Sequence, residues 1–590
     1  MPVKSFWESE DKIPIGQSSV VIESDNNLDH TAGQKVTFHI PSNLEFINPK
    51  ETYLRFDVLL DITSGHKTNL QLDCDIGAQS LLADVRLRTR DGKILSEIQG
   101  YNTLVSVMYD YDTNVNLRQK RSLTEGTTIN NPLCGGNGGC YQTNKQDVLN
   151  NPYFKRETST SKTDSSLAFK TAKCLLPIHN GIFQNDKVFP ILLTGDLVLE
   201  IILEQNRKVF RQLDSVTKHR NLASNPHWLN TSGAEAVGTG TSGDDLTHFY
   251  VNPAKNSMNS MENFPFRIGE RFKFVDLETF DVSDTGSLTQ DITSASDTGA
   301  ASPDFIITGL HQETGAGTTQ KVKVSVSSTS LSGSDLAQNS VMFSTEATQT
   351  GFDATYTLSN IELICQKLDM PTGYKSSLMN SMKSGGVMTY DFLDYTNYRF
   401  STLSSESIIN LRLPLQNSRA KAIWCVPTDA STISLGHNAG AHNTYYQMKD
   451  GSLGGSTALF SDRVGLEGCA DFIQTAQFFY DNKLQPNRKC DLSKTGNKNA
   501  ISQEGLIELE KALSMGGLEV RSFRKFNRNF VIGRAVSLGK SGVYDTRGKD
   551  FNLQLEYNGA NAQQVNKLWN CYCCHIRGLR ISGSDVDVLL

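Results

Sequence analysis

The sequence has no long hydrophobic run. Its most apolar stretch, Val188 to Leu203, is interrupted by Pro190, Gly195 and two acidic residues, whereas a membrane-spanning helix needs about 20 consecutive apolar residues. The opening residues, MPVKSFWESEDKIPIGQSS, lack the cationic start and apolar centre of a secretory signal peptide. We therefore expect a protein that is made and kept in a soluble compartment.

The sequence also has fewer positively charged than negatively charged residues. The 57 lysines and arginines are outnumbered by 63 aspartates and glutamates, and the net charge is -6. A protein that wraps nucleic acid needs a concentrated basic surface that neutralises phosphates, so we do not expect sequence-specific nucleic-acid binding. The basic clusters Arg118 to Arg121 and Arg521 to Arg528 are local, and we interpret them as solvated loop charges.

The cysteines do not form a disulfide framework. There are 11 of them, an odd number scattered over 590 residues, which fits a reducing cytosol or nucleus. Cys134 and Cys140 flank a glycine-rich loop. Two interpretations stay open for this pair: a disulfide that forms if the protein is oxidised after release, or two free loop thiols.

Sequence signatures of catalysis are absent or incomplete. No Gly-x-Ser-x-Gly nucleophile motif occurs. The string Gly238 to Gly243 matches a dinucleotide-binding pattern, but no strand precedes it and no helix follows it. Gly539 to Ser541 resembles the end of a phosphate-binding loop, whose first glycine is replaced by Arg534. We therefore expect no cofactor and do not expect an enzyme.

One cluster has the chemistry of metal ligands. It comprises Cys571, Cys573, Cys574 and His575. On a strand, Cys571 and Cys573 share one face whereas Cys574 points to the other, so a tetrahedral ligand set needs partners from elsewhere. We interpret the cluster as core packing, since a free cysteine packs as a small hydrophobe, and keep a metal site as the alternative.

One stretch of the chain occurs twice. Leu175 to Glu204 reads LLPIHNGIFQNDKVFPILLTGDLVLEIILE, and Val531 to Tyr557 reads VIGRAVSLGKSGVYDTRGKDFNLQLEY. In both copies an apolar run leads to a small-Gly-apolar-aromatic step, Asn180 to Phe183 and Ser541 to Tyr544, then to a polar turn and a strand opened by aspartate. Internal repetition of this kind decides the architecture, and we predict a chain that is built twice.

The remaining histidines do not predict a site. His437 and His442 are five residues apart in a Gly/Ala loop and lack the helix and glutamate of a zinc hydrolase. His179 lies inside the first copy of the repeated stretch, where it could be a buried base. Nothing in the second copy replaces it, so we interpret it as a core or edge histidine. We therefore expect no catalytic, cofactor-binding or metal-binding residues.

Alternation of apolar and polar residues predicts short strands in the same order in both halves. In the first half these are Lys35 to Ile40, Tyr53 to Leu60, Ala83 to Thr89, Ile94 to Ile98 behind an Asp-Gly turn, and Thr355 to Gln366. In the second half they are Val387 to Phe400, Ile408 to Leu415, Asp471 to Tyr480 and Tyr572 to Leu590. Short helices are expected at Asn102 to Tyr109 and at Gln503 to Leu513, the second behind an N-cap at Ser502.

These patterns predict an all-β fold of two tandem eight-stranded jelly rolls with long loop insertions and a few short helices. We divide the chain into an N-terminal arm over residues 1–30, a first jelly roll over 31–370, a linker over 371–386 and a second jelly roll over 387–590. Insertions are expected at about 113–166 and 207–351. We interpret the second insertion as a solvent-facing β excursion, because Lys321 to Val326 keeps strand alternation.

Three segments carry a resemblance to a known family. LPIHNGIFQNDKVFPILLTGDLVLEIILE, TYTLSNIELICQKLDMPTGY and CHIRGLRISGSDVDVLL resemble the double jelly-roll major capsid proteins of DNA viruses, of the kind found in polinton-like viruses, virophages and adintoviruses. The resemblance covers nearly the whole chain and is weakest in the two insertions and the N-terminal arm.

The resemblance implies a structural subunit. Members of the family form homotrimers that act as pseudo-hexameric capsomers and self-assemble into an icosahedral virion shell. The implied partners are neighbouring trimers, a penton single jelly-roll protein and minor capsid proteins, and an internal membrane is left open. The implied location is the virion, assembled in the host cytoplasm or nucleus. We expect the N-terminal arm to run along the inner face of the shell.

Two other functions are kept as alternatives. A jelly-roll carbohydrate-binding, lectin-like protein would cluster aromatic residues on loops at one end of a barrel, but the missing signal peptide disfavours it. A β-rich enzyme such as a cupin-like metal protein would need histidine and carboxylate ligands that converge on one barrel, and the predicted strands offer none.

Overall fold

The computed structural model describes most of the regular elements of the chain. It covers residues 14–62, 69–112, 172–213, 354–430, 473–492, 503–521, 529–537, 542–557 and 566–589 apart from a few internal positions, with shorter pieces inside 117–127, 237–344 and 466–468. Among these residues, no helix is long and apolar enough to cross a membrane.

Strands dominate the described residues, and they are numbered here in chain order. Those before the second predicted insertion are β1 (Gly16–Glu23), β2 (Asp29–Thr31), β3 (Lys35–Ile40), β4 (Ile47–Ile62), β5 (Asn69–Gln71), β6 (Leu82–Thr89), β7 (Ile94–Gln99), β8 (Ala172–Pro177) and β9 (Leu197–Leu203). The insertion contributes β10 (Arg211–Leu213), β11 (Val237–Thr239), β12 (Leu246–Val251), β13 (Arg271–Asp276), β14 (Phe305–Thr314), β15 (Gln320–Val326) and β16 (Ser340–Ser344), and β17 (Ala354–Asp369) follows it.

The second half repeats this succession with fewer additions. Its strands are β18 (Val387–Thr402), β19 (Ile408–Leu413), β20 (Ala420–Asp429), β21 (Ile473–Tyr480), β22 (Lys483–Asp491), β23 (Ile532–Ala535), β24 (Phe551–Tyr557), β25 (Lys567–Ser582) and β26 (Asp585–Leu589).

The pairing order of these strands defines the fold. In the first half, one antiparallel sheet runs β1-β17-β4-β8 and the other runs β3-β9-β6-β7. In the second half the sheets run β18-β25-β20-β23 and β19-β24-β21-β22. If the eight strands of each half are numbered along the chain, both halves read 1-8-3-6 in one sheet and 2-7-4-5 in the other. Both halves are therefore eight-stranded jelly rolls, which confirms the predicted fold class.

Additional strands extend these sheets at their margins. β2 pairs with β17, and β26 pairs with β25. The chain between β9 and β17 forms a separate sheet in the order β11-β12-β15-β14-β13-β16. The second predicted insertion therefore contains β structure, and the predicted strand Lys321 to Val326 lies within β15.

The alternating strands are half-buried, as their sequences predict. Val36, Phe38 and Ile40 of β3 are at most 1% exposed, and Val85 and Leu87 of β6 are fully buried. Their neighbours along each strand face outward because successive side chains of a strand point to opposite faces of the sheet. Alternation of this kind is typical of an antiparallel sheet with one face on the core.

The two copies of the repeated stretch occupy equivalent places. Asp196 precedes β9 and Asp550 precedes β24, and the backbone oxygen of each accepts a hydrogen bond from the turn that closes a hairpin. The donors are the amides of Arg90, at 3.0 Å, and of Asp481, at 2.7 Å. The same backbone contact therefore recurs in both jelly rolls.

The aromatic residues of the two copies align differently from the sequence pattern. Phe189 forms an isolated bridge with Ile47, and Tyr544 forms the corresponding bridge with Ala420. The structural counterpart of Tyr544 is therefore Phe189. The matching four-residue steps in the sequence indicate Phe183 instead, and the structure corrects this alignment. Phe183 lies in a 3-10 helix, Gly181–Gln184, and this extra turn shifts the alignment of the first copy.

Helices are few and short in the described part of the chain. They are α1 (Tyr101–Asp112), α2 (Ile191–Thr194), α3 (Asn206–Val209), α4 (Thr372–Lys383) and α5 (Gln503–Met515). α1 and α5 contain the two helices predicted from the sequence, and Ser502, the predicted N-cap, lies outside the described residues. α4 occupies the predicted linker and is followed by Gly385, whose φ of 84° suits a helix end.

The N-terminal boundary needs a correction. Residues 1–30 were assigned to an arm, but β1 pairs with β17 along its whole length, from Gly16 opposite Asp369 to Glu23 opposite Glu362. β1 is therefore the first strand of the first jelly roll. Its apolar residues are sparse because it lies at a sheet edge, so its burial pattern is mostly exposed and its sequence resembles a polar arm.

A tight contact between α5 and β23 makes one position sensitive to size. A Cβ atom at Gly533 would lie 2.8 Å from the Cα of Leu509 and 2.9 Å from the Cβ of Ala512. Valine at position 533 should therefore push α5 off the sheet and lower the free energy of unfolding by about 1–3 kcal/mol. Thermal unfolding of the purified Gly533→Val protein measures this loss.

Gly373 provides the control for this substitution. It lies in α4, and no atom lies within 4 Å of the Cβ that an alanine would add. Gly373→Ala should keep or slightly raise the unfolding temperature, because alanine favours a helix more than glycine does. A Gly533→Val protein as stable as Gly373→Ala would show that α5 does not pack as described.

Candidate functional site

The two jelly rolls meet along β18, at a surface that we call the seam. Met388, Tyr390 and Phe392 alternate along β18 and are at most 4% exposed. The hydroxyl of Tyr390 donates to the backbone oxygen of Lys187 in the first roll, at 2.8 Å. Tyr395 instead packs in the second core, 5.3 Å from Trp424 between ring centroids. One face of β18 therefore covers the first roll while its other face covers the core of the second.

A buried ionic contact lies at the centre of the seam. The hydroxyl of Ser96, on β7, donates to Oδ1 of Asp394, on β18, at 2.7 Å. Nε of Arg577 lies 3.2 Å from Oδ2 of Asp394, and Nη1 of Arg577 donates to the backbone oxygen of Leu95 at 2.9 Å. Asp394 and Ser96 are fully buried and Arg577 is 7% exposed, so β7, β18 and β25 share one water-excluded contact.

Burial and pairing act in opposite directions on Asp394. Burial raises the pKa of this carboxyl and outweighs the Arg577 guanidinium and the Ser96 hydroxyl, which lower it. A buried carboxylate keeps its charge only if a cation and hydrogen-bond donors replace the lost water. The position of Arg577 is therefore constrained by Asp394, and the two rolls are constrained with it.

Two glycines allow the rolls to approach closely. Gly100 has a φ of 65°, and a Cβ there would lie 3.0 Å from the hydroxyl of Tyr572. That hydroxyl donates to the backbone oxygen of Gly100 at 2.7 Å. A Cβ on Gly181, the glycine of the first repeated stretch, would lie 2.7 Å from the ring of Phe392. A side chain at either position would hold the two surfaces apart.

A second set of hydrogen bonds joins α1 to the connection before β23. The side chain of Asn529 donates to Ser106 at 2.8 Å and to Asp110 at 2.7 Å. The hydroxyl of Tyr111 donates to the backbone oxygen of Asn529 at 2.8 Å, and the amide of Arg521 donates to the backbone oxygen of Tyr111 at 2.8 Å. α1 belongs to the first roll, so it ties both rolls together at this end.

The cysteine cluster predicted from the sequence lies in the protein core. Cys571, Cys573, Cys574 and His575 are at most 1% exposed on β25. β25 pairs with β18 on one side and with β20 on the other, and both of its faces are covered. Burial raises the pKa of Cys573 to about 12 and raises those of Cys571 and Cys574 well above the ordinary thiol value. These thiols therefore stay protonated in the core.

Metal ligands do not gather elsewhere in the described residues. No group of three or more histidine, cysteine, aspartate or glutamate side chains there could hold a metal ion. Cys134, Cys140, His437, His442 and Gly539 to Ser541 lie outside the described residues, as do residues 240–243 of the glycine-rich string that begins at Gly238 in β11. The expected absence of catalytic, cofactor and metal sites stays a prediction.

His179 has polar partners that the sequence pattern did not predict. Its Nε2 lies 2.8 Å from the hydroxyl of Tyr109, which also contacts Glu125. Arg121, interpreted from the sequence as a solvated loop charge, lies with its guanidinium 3.5 Å from the centre of the Tyr109 ring. That interpretation is wrong for Arg121, because its charge faces an aromatic ring.

Sequence reasoning also missed Asp394, although a signal was present. Asp394 lies on the same face of β18 as the buried side chains of Met388, Tyr390 and Phe392, because these residues occupy every second position of the strand. A charged residue on a buried face predicts either that burial ends there or that the charge has a buried partner. Arg577 lies 183 positions further along the chain, and no local pattern connects the two.

Comparisons with solved structures find several similar chains. The chain is similar to the VP54 protein of PBCV-1 fitted into a reconstruction of the virophage Sputnik, at 10% identity and a TM-score of 0.46, covering 99% of this chain and 100% of that one. It is also similar to the Faustovirus major capsid protein, at 9% identity, a TM-score of 0.44 and coverages of 96% and 90%. The mavirus major capsid protein matches at 9% identity, a TM-score of 0.35 and coverages of 100% and 94%.

No protein-family model and no curated protein matches the sequence. The sequence identities and TM-scores of these solved structures are low. The pairing of the strands themselves defines the two jelly rolls.

Breaking the Asp394–Arg577 contact should destabilise the protein strongly. Asp394→Leu leaves the guanidinium buried without its partner, and such losses amount to about 3–5 kcal/mol. The double variant Asp394→Leu with Arg577→Met removes both charges and should recover part of this loss. Unfolding in guanidinium chloride, followed by the fluorescence of the buried Trp424 and Trp569, compares the three proteins.

The exposed pair Arg412–Asp550 provides the control. Its guanidinium side chain is 79% exposed, so Arg412→Ala should change the stability by less than about 1 kcal/mol. Equal effects of Asp394→Leu and Arg412→Ala would contradict the role of the seam.

Proposed function

We propose that this chain is the major capsid protein of a DNA virus, a structural subunit of the virion shell. The observation that carries the proposal is the doubled jelly roll, whose two copies are joined by a buried polar seam. A single jelly roll serves many unrelated functions. Two of them joined by buried contacts give one chain two similar building blocks, which is a property suited to assembly.

The proposed assembly unit is a homotrimer. Three chains would contribute six similar jelly rolls and form a pseudo-hexameric capsomer, which could be surrounded by six neighbours in an icosahedral shell. Interfaces of obligate oligomers usually bury more than about 2,000 Å². Apolar side chains exposed on the single chain, such as Leu403 at 65% and Ile408 at 56% beside the β18–β19 turn, are available for such contacts.

The proposed partners follow from the shell. They are neighbouring trimers, a penton single jelly-roll protein at the vertices and minor capsid proteins, and the proposed location is the virion. The function of the chain would be structural. The seam supports this proposal because its aspartate is neutralised by a fixed arginine and faces no open cleft in the described residues, so it holds surfaces together and has no access to a substrate.

The solution mass of the purified protein tests the proposal. Light scattering should give three times the chain mass of 65.1 kDa, and negative-stain images of the same peak should show a pseudo-hexagonal outline. The seam variant with both charges removed should keep this mass if it folds, because the seam lies inside one chain. A folded monomer at micromolar concentration would overturn the proposal.

The N-terminal residues before β1 offer a separate prediction. Gly16 begins β1, and Ile15 before it is already tied to the first sheet, because its amide donates to the backbone oxygen of Asp369 at 2.8 Å. Deletion of residues 1–13 should therefore leave the trimer intact but impair the joining of trimers into shells, which electron microscopy of assembly reactions would show. Normal shells from the truncated chain would exclude a role for these residues in assembly.

A further inference from the structure

A polar cluster lies at one end of the first jelly roll, apart from the seam. Its members come from four segments that are distant in sequence. They are Gln79 of the 3-10 helix Gly77–Leu81, Tyr101 and Tyr109 of α1, Glu125, and His179 after β8. Tyr101, Tyr109, Gln79 and Glu125 are at most 3% exposed, so the hydrogen bonds among them replace water.

The hydroxyl of Tyr109 joins the two titratable members. Its oxygen lies 2.7 Å from Oε2 of Glu125 and 2.8 Å from Nε2 of His179. A phenol has one proton and can donate to only one of these groups, so the other group must donate to the phenol. Either Glu125 is protonated and Tyr109 donates to His179, or His179 carries a hydrogen on Nε2 and Tyr109 donates to an ionised Glu125.

Glu125 also attaches its own segment to the jelly roll. Its backbone oxygen accepts a hydrogen bond from the amide of Ala78 at 2.8 Å. This contact needs Gly77, which has a φ of 54° and where any Cβ would lie 2.2 Å from that oxygen. Arg121 adds the stacking on Tyr109 described above. The described residues among 120–127, which we call the anchor segment, are thus held by Glu125 and Arg121.

The charged and titratable groups that the structure describes around the phenol come from three parts of the chain. The anchor segment contributes Lys120, Arg121 and Glu125, and the chain after β8 contributes His179. α1 contributes Tyr101, Tyr109 and Asp112, whose carboxyl interacts with Arg121. Burial raises the pKa of Glu125 to about 7, against the effects of Tyr109 and Arg121. Burial, and then Arg121, lower the pKa of His179 to about 3. The two shifts have opposite directions.

We propose that Glu125 and His179, joined through the single hydroxyl of Tyr109, form a compensating proton pair that keeps the attachment of the anchor segment nearly independent of pH. The device is independent of the proposed capsid function. It depends on the geometry of the shared hydroxyl and on the release of both groups to water when the segment detaches.

The sign of each contribution follows from proton linkage. The attached state holds the Glu125 proton more tightly than the detached state does, so attachment weakens as the pH rises from the ordinary glutamate pKa towards 7. The attached state resists protonation of His179, so attachment strengthens as the pH rises from about 3 to the ordinary histidine pKa. Between about pH 4.5 and 6.5 both effects operate and cancel.

Substitution of either member should expose the effect of the other. Hydrogen–deuterium exchange of the peptide that covers 120–127, corrected for intrinsic rates, reports the attachment. From pH 8 to pH 5, protection should fall by about 30-fold in Glu125→Gln and rise by about 70-fold in His179→Gln. In the unaltered chain it should vary by no more than about threefold.

Two comparisons keep the test decisive. Asp545→Asn removes an exposed carboxylate that pairs with Arg547 in the second jelly roll, and it should keep the profile of the unaltered chain. Protection of the peptide that covers β18 serves as the internal reference for folding in every variant. Slopes of the same sign in Glu125→Gln and His179→Gln, or profiles equal to that of the unaltered chain, would overturn the proposal.

Discussion

The structure depends on covering both faces of the sheet β18-β25-β20-β23. Its inner face packs on the core of the second jelly roll, and β18 presents its outer face to the first roll. A sheet with two apolar faces cannot be left in water, because each buried aliphatic or aromatic side chain contributes about 1.5–3 kcal/mol by leaving it. The first roll therefore covers an apolar surface of the second roll.

Apolar contact alone would allow the rolls to slide over each other. Hydrophobic burial has no direction, whereas Asp394, Ser96 and Arg577 must meet at defined distances because an unpaired buried charge is costly. Gly100 and Gly181 add a steric condition, since each allows an approach that any side chain would prevent. The seam thus combines a nonspecific attraction with specific polar contacts that define how the two rolls meet.

Part of this architecture is visible in local sequence patterns. β3, β6 and β19 face a core on one side, so their sequences alternate and their limits were predicted within about two residues. β20 was missed because it is covered on both faces: residues 422–428 are all buried and do not alternate. β1 was missed for the opposite reason, since an edge strand buries too little to differ from a polar arm.

The sequence by itself determined the doubled order of strands, because the periodicity of each strand is a local property of the chain, and three of its segments carry the resemblance to capsid proteins. Only the tertiary structure decided which charges meet. Asp394 pairs with Arg577, and Tyr109 joins Glu125 to His179, across distances in sequence that carry no periodic signal. The physical reason is that burial makes such pairing obligatory without specifying the partner, and the packing of whole sheets and helices makes that choice.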